Sequence, residues 1–87
     1  MEVSGHYVFN KNPRVDNSTI ESTLQSAIGT KGRVCVYTTT KGQPLVVVYE
    51  VDEDNLNDVV NSCHNVGKII GAIFYPTIDG GTIEYHV

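Results

Sequence analysis

Apolar and polar residues alternate over 3–9 (VSGHYVF), which predicts a strand with Val3, Tyr7 and Phe9 on one face and Ser4, His6 and Val8 on the other. NKNPRVDN then breaks the pattern with Pro13 and three Asn, a loop. The period changes to that of a helix in STIESTLQSAIG. Ile20, Leu24, Ala27 and Ile28 fall on one stripe, Ser18 and Glu21 have capping-box spacing, and Gly29 can stop the helix. RVCVYTTTKGQPLVVVYEV reads as a hairpin. With Lys41-Gly42 as its two-residue loop, Arg33 faces Glu50, Cys35 faces Val48 and Tyr37 faces Val46. Lys-Gly is not a favoured dipeptide for such a loop, so a bulged loop is the alternative. Strict alternation puts Leu45, Val47, Tyr49 and Val51 on one face of the third strand, and Val46, Val48 and Glu50 on the other.

A second helix is predicted over DEDNLNDVVNSCHNVG. Leu56, Val59, Val60 and Cys63 form its stripe, acids occupy its start and Gly67 closes it. IIGAIFYPTIDGGTIEYHV is a second hairpin, turning at Asp79-Gly80 and pairing Phe74 with Tyr85. The expected fold is a single α+β domain spanning residues 1–87, with an antiparallel sheet and both helices on one face. The order of its first six elements resembles the ferredoxin-like β-α-β-β-α-β plait, and the last strand would be a C-terminal addition. That topology puts the third strand beside the first and second.

If the helices cover Leu45, Val47 and Tyr49, the opposite face carries Val46 and Val48 at its centre. Val8, Cys35, Tyr37, Ile73 and Tyr75 then surround them, with His6 and His86 nearby. Such a face is too apolar for a plain water-facing surface and is expected to be an interface. The simplest partner is a second copy of the chain, giving a homodimer.

The length of 87 residues suits one domain, and 40% hydrophobic with 18% charged residues argues against disorder. The net charge of −4 disfavours nucleic-acid binding, which needs a basic footprint. KGRVCVY echoes an RNA-recognition strand but lacks the stacking aromatics. No leader pattern and no apolar run of membrane-spanning length is visible, so a cytoplasmic protein with two free thiols is expected.

Candidate chemistry is sparse. Cys63 and His64 suggest a nucleophile and base, but adjacent helical residues point about 100° apart. Cys63 also lies on the apolar stripe. His6, His86 and Glu84 would be kept apart by the fourth strand, so no metal is expected. TIDGGT has neither the following helix nor the Lys of a phosphate loop. The chain is therefore expected not to be an enzyme and to need no cofactor. The leading expectation is a regulatory protein-binding module that self-associates. The alternatives are a small inhibitor, of the kind phages and mobile elements direct against a host enzyme, and a small-ligand sensor.

Overall fold

The computed structural model describes residues 1–10 and 14–77. Its elements are β1 (Val3–Phe9), α1 (Asn17–Ile28), β2 (Arg33–Thr38), β3 (Pro44–Tyr49), α2 (Leu56–Ile70) and β4 (Ala72–Thr77). Single 3-10 turns at Gly29–Lys31 and Glu53–Asn55 follow α1 and precede α2. The four strands form one antiparallel sheet in the order β2-β3-β1-β4. β3 therefore lies between β2 and β1, the interior place expected of the most apolar strand. The Asp79-Gly80 turn, the Phe74–Tyr85 pairing and the added last strand lie outside the described residues.

The register of the first hairpin differs by one residue from the expected one. Arg33 pairs with Tyr49, Cys35 with Val47 and Tyr37 with Leu45. The cause is the loop, which has three residues and not two. Thr39 N–H donates to the Gln43 carbonyl at 2.8 Å, Gly42 N–H donates to the Thr39 carbonyl at 2.9 Å, and Gly42 takes a φ of 80°. That is a turn closed by a left-handed glycine, a geometry Lys-Gly serves well. Because side chains alternate, the one-residue shift turns β3 over. Val46 and Val48 point into the core at 0% exposure, and Leu45, Val47 and Tyr49 point out.

A second irregularity restores the alternation beyond β3. Val3 pairs with Val48, yet Met1 and Val51 exchange both backbone bonds, so β3 has one residue more than β1 between those pairs. The extra residue is a bulge around Glu50, the only described non-glycine with positive φ, at 58°. It lets Val51 join Val46 and Val48 in the core. It also swings the Glu50 carboxylate to 3.0 Å from the Arg33 guanidinium. The expected charge pair thus forms, but through the bulge and not by direct cross-strand pairing.

One core cluster joins Ile20, Leu24 and Ile28 of α1 to Val59, Cys63 and Val66 of α2 and to Val3, Tyr7, Val34, Val46, Val48 and Phe74 of the sheet. α1 stops at Gly29 as expected, but two other helix ends differ. Asp16 caps α1, accepting from Thr19 N–H at 2.8 Å and Ser18 Oγ at 3.0 Å, so Ser18 lies inside the helix. These bonds, the Thr19 bonds foremost, hold the Asp16 carboxyl below its ordinary range. Gly67 does not close α2. Its missing side chain lets the helix lie against the strands, since a Cβ there would sit 2.8 Å from the Ala72 carbonyl oxygen and 3.2 Å from the Tyr7 ring. The left-handed stop comes four residues later, at Gly71.

Among the described residues β2 and β4 are the outer strands of the sheet, and each carries a feature that opposes further pairing. At β2 the Gln25 side chain accepts from Val34 N–H at 3.0 Å and donates to the Gly32 carbonyl at 2.9 Å. It occupies the groups an added strand would use. At β4 the bond from Asn10 N–H to the Gly71 carbonyl fixes the alternation, so Pro76 has its nitrogen on the side away from β1.

Candidate functional site

The sheet residues that do not enter the core form a continuous outward surface across all four strands. One row runs Tyr37, Leu45, His6, Tyr75, from β2 to β4. The next runs Cys35, Val47, Ser4, Thr77, and Val8 pairs with Ile73 beyond the first. Arg33 and Tyr49 make the corner, where Arg33 is held by Glu50. No other described residue in these rows carries a full charge at neutral pH when His6 is neutral.

Two of the four large apolar side chains most exposed among the described residues lie here, Tyr37 at 56% and Ile73 at 43%, on opposite edges of the surface. Between them the side chains pack on one another. His6 is only 7% exposed although it points outward, and its ring stacks on Tyr75 with centroids 5.5 Å apart and planes 21° apart. The Cys35 thiol, two residues away on β2, is the first cause that holds the Tyr37 hydroxyl above the usual phenol range. The result is an aromatic and aliphatic surface.

Val8, Cys35, Tyr37, Ile73 and Tyr75 all lie on this outward surface, as the strand pattern implies. Val46 and Val48 do not. They are core, and the positions expected of them are taken by Leu45 and Val47. The signal that identifies Leu45 and Val47 is the Thr-Lys-Gly loop, whose glycine fits the left-handed position of a three-residue turn. Glu84 and His86 lie outside the described residues.

The groups that suggested chemistry fall elsewhere. Cys63 is fully buried in α2 and burial pushes its thiol up to about 12. His64, next to it, is exposed and sets its ring edge-on to Phe74 with centroids 5.4 Å apart. Tyr7 donates its hydroxyl to the Cys63 carbonyl at 2.6 Å, and burial raises the phenol far above its usual range. Both acids are neutral in the fold and both lose their protons at lower pH once unfolded. Their contribution to stability is complete below about pH 9 and is lost as the pH rises towards about 12. Urea midpoints should therefore fall over that range, and Cys63→Ala should fall less steeply than the parent. An unchanged midpoint to pH 12 would show that these groups are not held neutral.

Among the described residues no group of three His, Cys, Asp or Glu stands within reach of one metal ion, and no helix is long and apolar enough to cross a membrane. A recess of about 570 Å³ lies at the β2 corner of the sheet, between Gln25, Gly29, Thr30, Arg33, Tyr49 and Glu50. It is polar and broad, the wrong form for an enclosed small-ligand site. No known protein family matches the chain, and no curated protein is detectably similar to it in sequence.

Proposed function

We propose that the protein is a non-catalytic, self-associating binding module: a ferredoxin-like plait with both helices on one face of the sheet and a second copy of the chain on the other. The observation that carries this reading is that Tyr37, at 56% exposure, and Ile73, at 43%, lie with half-buried Leu45 and Val47 on the side of the described sheet away from the core. The element order and the single core shared by both helices support the plait.

Size sets the strength. Four strands spaced about 4.8 Å apart and six residues long give a face of about 400 Å² in projection, or about 600 Å² with side-chain relief. Two such faces bury about 1,200 Å² together, the lower end of specific interfaces. A dissociation constant in the micromolar range is expected, since association costs take most of the gross burial energy. Gln25 and Pro76 oppose pairing at the sheet edges, which favours the face over the edges as the contact.

Val47 tests this directly. It is half-buried on the outward surface between Cys35 and Ser4. Val47→Asp should fold normally by circular dichroism and sediment as a monomer where the parent sediments as a dimer. A variant that dimerises like the parent would place the contact elsewhere.

A further inference from the structure

We propose that the β2–β3 loop end of the sheet holds a binding site for a phosphate group, built by Arg14 and Lys41. β1 runs past the end of β3: its last pair with that strand is His6 with Leu45. Beside the remaining stretch, Tyr7 to Phe9, opens a recess of about 250 Å³, and Arg14, Lys41 and Gln43 complete its lining. Two cations thus converge on one recess from different segments, one just before α1 and the other in the β2–β3 loop.

Both are positioned by the fold. The Arg14 guanidinium lies 5.1 Å from the centre of the Phe9 ring and donates through Nη2 to the Gly42 carbonyl at 2.7 Å. Its other N–H groups are left for a ligand. Lys41 is the middle residue of the loop, which is closed by Thr39 N–H to the Gln43 carbonyl at 2.8 Å and by Gln43 N–H to Thr39 Oγ1 at 3.0 Å. The backbone adds a donor. Asn10 N–H donates to the Gly71 carbonyl on the β4 side, so Phe9 N–H points to the β3 side, where that strand has already ended.

The charge here is unbalanced. Among the described residues Lys31 pairs with Asp58 and Arg33 with Glu50, while no acid pairs with Arg14 or Lys41. Asp16, the acid nearest Arg14 in the chain, is engaged by Thr19 and Ser18 at the start of α1. Two cations held together without an acid create a local positive potential in an otherwise acidic chain, and this favours an anion. The recess is smaller than the roughly 300–1,000 Å³ that hold a drug-sized ligand, so it takes one compact group. A guanidinium fork with an ammonium and a backbone N–H beside it suits the several oxygens of a phosphate. Inorganic phosphate and a small phosphate monoester both offer that chemistry.

Amide chemical shifts of the isotope-labelled protein, followed while inorganic phosphate or phenyl phosphate is added and compared with chloride at equal ionic strength, test the site. The amides of Phe9, Gly42 and Gln43 should move together, with a dissociation constant of about 1 mM. Lys41→Gln should raise that constant about 3-fold and Arg14→Gln about 10-fold, with Arg14→Lys, which keeps the charge but not the fork, in between. Lys41 braces nothing among the described residues, so its variant reads the site without disturbing the loop, and circular dichroism checks that each variant is folded. Inorganic phosphate binding as tightly as phenyl phosphate would assign the site to the phosphate group alone, and tighter phenyl phosphate would assign it to a monoester. Shifts that chloride reproduces, or phosphate binding unchanged in Lys41→Gln, would overturn the site and leave the self-association reading untouched.

Discussion

Val48→Asp is expected to prevent folding. Val48 is fully buried, pairs with Val34 on one side and Val3 on the other, and belongs to the core beneath the helices. An aspartate there loses the burial of a valine, about 1.5–3 kcal/mol. It also brings a carboxyl group into an apolar site without a designed partner, which costs several kcal/mol more whether it stays ionised or takes up a proton. A domain of this length has about 4–13 kcal/mol to lose. The expected result is an unfolded chain by circular dichroism at 25 °C, or a urea midpoint close to zero. The neighbouring Val47→Asp should stay folded, so one residue separates loss of fold from loss of association. A folded Val48→Asp variant would mean that β3 presents its other face to the helices.

Gly5→Ala should be nearly as damaging, although it adds one methyl group. Gly5 lies in β1, the interior strand between β3 and β4. A Cβ at this position would sit 2.5 Å from the Tyr75 carbonyl oxygen and 2.6 Å from the Phe74 ring. The carbonyl is backbone and cannot rotate away. Phe74 is itself confined, 2% exposed and with its ring 5.2 Å from that of Tyr7. Overpacking against such neighbours costs about 2–4 kcal/mol. The melting temperature should fall by roughly 10–25 °C. Gly42→Ala is the informative control. Its Cβ meets nothing within 4 Å, and its φ of 80° leaves only left-handed strain, worth about 1–2 kcal/mol. Equal losses at the two positions would show that the crowding at Gly5 is relieved by movement of the strands.

The periodicities of the chain carry most of this fold. β1 and β2 each bury one alternate set of side chains, and their faces follow directly from VSGHYVF and RVCVY. β4 behaves likewise, with Ala72 and Phe74 inward and Ile73 outward. β3 gives no such guidance, because LVVVY is apolar on both faces and fits either way up. Its orientation was decided by two single-residue insertions: Thr40 in the loop and Glu50 in the bulge. A two-residue loop sets Leu45, Val47 and Tyr49 towards the helices, and the three-residue loop turns them outward. Glycine was ambiguous for a related reason. Gly67 and Gly71 both suit a helix stop, and only the closeness of α2 to Ala72 and Tyr7 shows that Gly67 serves packing. Both faces of β3 are apolar, so the reversal exchanges one apolar pair for another. Leu45 and Val47 took the places of Val46 and Val48, among neighbours that alternation had placed correctly.

The proposed pairing covers the outward sheet surface with a second copy of the chain. The most direct test is sedimentation equilibrium of the unmodified protein, loaded from low to high micromolar concentration at neutral pH. The expected mass rises from that of one chain, 9.5 kDa, to that of two, with a single monomer–dimer constant in the micromolar range. A mass that stays at 9.5 kDa up to the highest concentration would contradict it.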